Sequence, residues 1–321
     1  MDGQTGGVPT LDDVRRAAAR IGGRVRRTTL LEAAPARGHA AVAAQLVLKL
    51  ESLQVTGSFK ARGACNTLLA LPPAALAQGV ITASGGNHGL AVAYAGWIAG
   101  VPATIYLPVT APEAKRRKLR AWGAEVVVEG EAWDDSNAAA LRHAARQGMA
   151  YVHPFADPMV IAGQGTVATE ILDAAPEVDA LLVAVGGGGL IGGIAVAARA
   201  IKPGIRIVGV EPEGAPTLLR SLEAGRPASL ARIETAARSL APRSTDPLNF
   251  AIVQRHVEQV VLVSDTAMRQ AAAWLWFEHG VASELGGAAA VAALLTGAYR
   301  PRPGERVRAV ICGAGTDGMT G

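Results

Sequence analysis

Lys60 lies in the stretch LKLESLQVTGSFKARGACN, residues 48–66, where an apolar strand pattern (46–50) passes through a polar turn (54–58) into a helical pattern (61–71). Most lysines are solvated point charges. Here Phe59 precedes the amine, and Thr56, Gly57 and Ser58 crowd it. Desolvation at such a junction lowers an amine's pKa and makes it a nucleophile able to form a Schiff base. Two further stretches suit anions. Ala83-Ser84-Gly85-Gly86-Asn87-His88-Gly89 follows a strand pattern and opens a helix, so its glycines let the chain turn while helix-terminal amides attract negative charge. Gly186-Gly187-Gly188-Gly189-Leu190-Ile191-Gly192-Gly193 follows the apolar run 180–185, and its bare backbone lets several N–H groups converge on a phosphate. The same loop also satisfies G-x-G-x-x-G through Gly187, Gly189 and Gly192, with Glu211 near the end of the next strand, the layout of a dinucleotide site. On this loop alone the two readings stand level. Lys60 and the asparagine loop favour the first, because a nicotinamide enzyme uses neither.

The run Gln54-Val55-Thr56-Gly57-Ser58-Phe59-Lys60-Ala61-Arg62-Gly63-Ala64 resembles the pyridoxal-phosphate lysine segment of fold-type II enzymes, most nearly the serine/threonine dehydratases (ammonia-lyases) and serine racemase. The resemblance implies that Lys60 carries the cofactor beside Phe59. It gives Ser84, Gly85, Gly86, Asn87 and His88 the substrate carboxylate, with Asn87 also on the cofactor's ring hydroxyl and the ring of His88 packed. The phosphate falls to Gly186, Gly187, Gly188 and Gly189, with the amide of Leu190. Ser283-Glu284-Leu285-Gly286-Gly287-Ala288-Ala289 resembles the family's Glu-Pro-x-Gly-Ala-Ala segment, which puts Glu284 near the cofactor edge; a charge favoured at a helix N-terminus is the plainer role. Cys312-Gly313-Ala314-Gly315-Thr316-Asp317 stands where the family often has Ser-Gly-Gly-Asn, so Cys312 would meet the pyridine nitrogen as a weak thiol donor.

Several positions depart from the family pattern. Thr29 and Leu285 replace prolines. Gly85 stands where serine racemase has a second serine acting as acid and base on the far face of the cofactor, which favours elimination over two-base racemisation. Thr217 replaces the aspartate that helps Glu211 bind a divalent metal in serine racemase, so no tight magnesium or calcium site is expected. The match loosens over residues 232–250, around Arg238-Ser239-Leu240.

Positioning these residues requires alternating strands and helices. Thr10-Leu11-Asp12-Asp13 reads as the capped start of a helix over 14–21. Strands are expected at 80–82, 103–107, 125–128, 150–152, 180–185, 206–210, 260–263 and 306–311. Helices are expected at 88–98, 112–122, 134–147, 164–174, 190–201, 216–224, 265–278 and 287–298. This alternation predicts right-handed βαβ units and parallel sheets. By resemblance, the fold is that of a fold-type II pyridoxal-phosphate enzyme (tryptophan synthase beta-like). It has two parallel or mixed-sheet α/β domains, with the cofactor in the cleft between them. Residues 79–153 form a small domain inserted into a large one made of residues 1–78 and 154–321.

Composition narrows the class. The 321 residues are half hydrophobic with 38 glycines, which suits a tightly packed α/β enzyme. Basic and acidic residues number 31 and 27, a net charge of +4 that argues little for nucleic acid, and the one basic cluster, residues 115–118, reads as a solvated helix face. Two cysteines, Cys65 and Cys312, make no disulfide framework, and no zinc-type spacing occurs. The start MDGQTGGVPTLDD reads as no secretory signal, the apolar runs are shorter than a membrane span, and no appended regulatory domain is expected. A soluble, cytoplasmic protein is expected, and by resemblance a homodimer. Its expected reaction is removal of water and ammonia from threonine, serine or a related β-hydroxy amino acid. A racemase, a β-replacement synthase and a non-catalytic nucleotide- or cofactor-binding protein are the alternatives.

Overall fold

The computed structural model describes residues 7–33 and 45–315. Thr316 and Asp317 of the last motif, and the first residues of the chain, lie outside the described residues. Helix α1 (Leu11–Ile21) starts at a full capping box: Thr10 Oγ accepts the Asp13 N–H, and the Asp13 carboxylate accepts the Thr10 N–H. Its buried positions Val14, Ala17 and Ile21 follow the helical period.

Strands β1 (Leu30–Glu32) and β2 (Gln45–Lys49) lead to α2 (Lys60–Ala70) and the short α3 (Pro73–Leu76). There follow β3 (Val80–Ala83), α4 (Asn87–Ala99), β4 (Ala103–Leu107), α5 (Glu113–Ala121), β5 (Glu125–Val128), α6 (Trp133–Gln147) and β6 (Ala150–Tyr151). The chain continues through α7 (Pro158–Ala174), β7 (Ala180–Ala184), α8 (Gly189–Ile201), β8 (Arg206–Pro212) and α9 (Thr217–Ala224). Last come α10 (Pro247–His256), β9 (Gln259–Val263), α11 (Asp265–His279), α12 (Leu285–Leu295) and β10 (Arg306–Val310).

Six strands form one sheet in the order β1-β2-β10-β7-β8-β9, parallel except for β1. Four form a second, wholly parallel sheet in the order β5-β4-β3-β6. Every residue of β3, β4 and β7 is buried, as befits parallel strands covered by helices on both faces. Strand β10 lies between β2 and β7, with Val307 opposite both Leu46 and Ala180.

Several elements differ from expectation, among them the short α3, which was not expected. Helix α7 begins at Pro158, not residue 164, because Asp157 accepts the N–H groups of Met159 and Val160 and proline occupies the first turn. Helix α10 was not expected; it starts the same way, with Asp246 accepting the Leu248 N–H ahead of Pro247. The short edge strand β1 was likewise not expected. In the basic cluster, Lys115 and Arg116 are half-buried, whereas Arg117 and Lys118 are exposed.

Helix α2 is fastened from two sides. Its glycine Gly63 crosses α7 at Gly163, where a Cβ would come within 2.7 Å of Arg62 O and Gly63 Cα. Beside that crossing, Arg62 is buried with its guanidinium on Glu51 (2.7 and 2.8 Å) and Glu170 (2.6 and 2.9 Å), and Lys49 Nζ joins Glu170 at 2.5 Å. Burial pushes the Glu51 carboxyl up, but the Arg62 charge, the hydrogen bonds from Arg62 and Thr28 and the Lys49 charge together outweigh it and hold the group below its ordinary range. Removing one partner of such a set strands a buried charge, so the network locks the helix in register. Among the described residues no helix is long and apolar enough to cross a membrane.

Candidate active site

The lysine turn, the asparagine loop, the glycine loop and the Cys312 segment leave the C-terminal ends of parallel strands, where open α/β sheets bind ligands, whereas Glu284 lies between α11 and α12. Strand β2 runs through two 3-10 turns, Glu51–Leu53 and Val55–Gly57, into α2, so Lys60 is the first residue of a helix. Thr56 in that turn has φ 62°, a left-handed conformation that strains a β-branched residue. The turn is tied to the end of β10, since Phe59 N–H donates to Cys312 O and Ala314 N–H to Gly57 O.

Lys60 is half-buried, and its Nζ donates to Pro154 O at 2.5 Å and lies 5.2 Å from the centre of the Phe59 ring. Burial lowers its pKa to about 8, with the Cys312 and Glu284 groups acting the other way. A substantial fraction of the amine is therefore neutral near pH 7–8, roughly what a nucleophile or base needs.

Around it stand the other candidates. Asn87 opens α4 and its Nδ2 donates to Glu284 Oε1 at 2.8 Å, while its Oδ1 is buried with no hydrogen-bond partner. Ser58 Oγ is buried and unpartnered too. Glu284 precedes α12 as its N-cap residue without a side-chain capping bond. Cys312 Sγ donates to Gly286 O at 3.6 Å, and burial, reinforced by Glu284, pushes its thiol up, so it stays protonated. The His88 ring is turned into the protein, where Nε2–H donates to Val152 O at 3.0 Å. Burial and the Lys60 charge pull its pKa down to about 3, which leaves it neutral.

Ser84, Gly85 and Gly86 form a half-buried turn in which Gly86 N–H donates to Ser84 Oγ at 3.3 Å. A Cβ on Gly85 would meet Leu107 Cδ2 at 3.1 Å and Lys115 Cδ at 4.0 Å, which brings one residue of the basic cluster beside this loop.

Gly186 to Gly188 link β7 to α8, and Gly189 and Leu190 are its first two residues. Gly188 has φ 94°, open to glycine alone at little cost. A Cβ on Gly187 would overlap the Phe155 ring, and one on Gly186 would lie 3.0 Å from Ser239 O, so the loosely matching segment closes over this loop. Pro154 thus touches Lys60 while its neighbour Phe155 touches the glycine loop.

Four residues that the sequence reading passed over belong here. Phe155, Thr245 and Asn249 wrap the glycine loop, where Gly187 O accepts from Asn249 Nδ2 (2.7 Å) and Thr245 Oγ (3.2 Å), and the His153 ring packs edge-on against Phe155. Asp157-Pro158 and Asp246-Pro247 are the local signals that would have pointed to these neighbourhoods. Glu211 is fully buried and accepts the N–H groups of Leu218 (2.7 Å) and Leu219 (2.9 Å), so its carboxylate fastens α9 to β8. Among the described residues no group of three or more His, Cys, Asp or Glu is arranged to hold a metal.

The chain is 38% identical over 308 residues to the L-threonine ammonia-lyase of Thermotoga maritima, covering 96% of this chain and 76% of that one. Among solved structures it resembles maize serine racemase (TM-score 0.92, 33% identity, 96% and 94% of the two chains). It also resembles the threonine deaminase of T.th. (TM-score 0.89, 38% identity, 95% and 98%). The family described as pyridoxal-phosphate dependent enzyme matches residues 21–313, and the chain belongs to it.

Proposed function

We propose that this protein is an ammonia-lyase that converts threonine, serine or a related β-hydroxy amino acid to a 2-oxo acid and ammonia. The residues present fit pyridoxal phosphate: a desolvated amine, a glycine loop at a helix N-terminus, and two orphaned buried polar atoms, Asn87 Oδ1 and Ser58 Oγ. When bound, that group supplies an aldehyde carbon for covalent attachment and a ring that withdraws electrons from the substrate α-carbon. Lys60 would hold it and would take the substrate α-proton on Nζ. Gly186 to Gly189 and the Leu190 amide bind phosphate at the positive end of α8. Ser84 to His88 bind the substrate carboxylate through backbone amides at the start of α4, and Asn87, braced by Glu284, fixes the ring orientation. Cys312 would offer the ring nitrogen only a thiol, a weak hydrogen-bonding group.

The observation that carries this reading is a Lys60 amine with its pKa lowered to about 8, together with Gly85, which presents no side chain to return a proton from the other face. That pairing favours elimination over racemisation. The names of the relatives support the same substrate class. Lys60→Ala is expected to lose 2-oxo-acid formation from threonine and serine together with borohydride-fixed cofactor; normal turnover by that variant would sink the assignment. We further place the protein in the cytoplasm as a homodimer, with residues 79–153 as a small domain set into a larger one. Light scattering on the purified chain tests the dimer.

A further inference from the structure

We propose that His153 is a positioning residue that couples the Lys60 amine to the glycine loop through two successive peptide units. Its Nδ1 accepts the N–H groups of Phe155 (3.2 Å) and Ala156 (2.7 Å). A nitrogen that accepts carries no proton, so the imidazole is the neutral form protonated on Nε2. In a trans peptide the N–H and C=O of one unit point in opposite directions. The Phe155 N–H therefore aims the carbonyl of its own unit, Pro154 O, outward to Lys60 Nζ at 2.5 Å. The Ala156 N–H likewise aims Phe155 O outward, where Asn249 Nδ2 donates to it at 3.2 Å. The same Asn249 amide holds Gly187 O at 2.7 Å. One ring nitrogen thus sets two carbonyls, one on the reactive amine and one on the residue that holds the glycine loop.

The surroundings keep that acceptor in place. Burial lowers the His153 pKa to about 4; Asp246 and Asp157 favour its charged form, and Lys60 opposes it. At neutral pH Nδ1 is free to accept. Hydrogen bonding at the N–H end of a peptide unit also polarises its carbonyl, which strengthens the bond to Lys60. That carbonyl stabilises the ammonium form, so losing it moves the Lys60 pKa down.

The coupling is tested on the full chain freed of cofactor by competitive acetylation of Lys60 across pH, read by mass spectrometry, and by the affinity for inorganic phosphate. His153→Asn keeps an acceptor near the Nδ1 position and is expected to match the wild type in both. His153→Gln moves the acceptor to the Nε2 position; it should lower the Lys60 midpoint by about one pH unit and weaken phosphate binding several-fold. Asn249→Ala breaks only the second arm, so phosphate binding weakens while the Lys60 midpoint stays where it was. Thermal unfolding checks that each variant is folded, and should His153→Gln fail that check, His153→Asn and Asn249→Ala decide the matter. The proposal is overturned if folded His153→Gln leaves both readouts unchanged, if His153→Asn behaves like His153→Gln, or if Asn249→Ala moves the Lys60 midpoint. Its catalytic meaning rests on Lys60 being the cofactor lysine. The labelling does not, so failure of that assignment and failure of the coupling are separately visible.

Discussion

Burial acts in opposite directions on Lys60 and Glu211. It lowers the amine and raises the carboxyl, the latter to about 7 against the opposing N–H bonds from Leu218 and Leu219. A carboxyl raised in the folded state gives stability that is complete below its unfolded pKa and is lost as pH rises through the folded value. Glu211 therefore weakens the fold between its ordinary 4.5 and about 7. Glu211→Gln cannot ionise, so its melting temperature should fall less than the wild type's between about pH 5 and pH 8. Parallel melting curves for the two proteins would refute this. Lys60, Asn87 and Gly186 to Gly189 were legible because their neighbours in sequence carry the pattern. His153 and Asn249 were not, because the groups they hold are backbone atoms: Asn249 bonds residues 62 and 94 positions away, and no local spacing announces that. The inward turn of the Asn87 amide to Glu284, across 197 positions, is hidden for the same reason.

At the scale of elements, the strands and most helices followed from hydrophobic period, and the misses have identifiable causes. Helices α7 and α10 both begin at an Asp-Pro pair, a start signal that the helical period of the following residues did not reach. Strand β1 is three residues long, too short to show alternation. The crossing of α2 on α7 depends on glycine at 63 and 163, and periodicity says nothing of such closeness. A methyl group at Gly163 meets backbone at 2.7 Å, which cannot swing aside. Gly163→Ala should therefore cost about 1–3 kcal/mol, measured as a lower denaturant midpoint, through overpacking at the helix that begins with Lys60. An unchanged midpoint would mean that the two helices are free to separate.

For the molecule as a whole, the candidate site gathers loops from both sheets: Ser84 to His88 follow β3, while the glycine loop, the Lys60 turn and Cys312 follow β7, β2 and β10. A ligand held by all of them binds the folded chain and not the unfolded one. Pyridoxal phosphate at a free concentration about 100 times its dissociation constant should then raise the unfolding free energy by about 2.7 kcal/mol, before any covalent contribution. Thermal melts with and without the cofactor measure it, and identical melts would count against a site shared by the two sheets. The order in which a ribosome delivers these strands has its own consequence. The four-stranded sheet is drawn from one continuous span, 80–151, and is complete once that span has emerged. Strand β2 finds its inner neighbour only in residues 306–310, far along the chain. The nascent chain thus carries its amine-bearing turn on an unclosed sheet edge until residues 306–310 have emerged to pair with it.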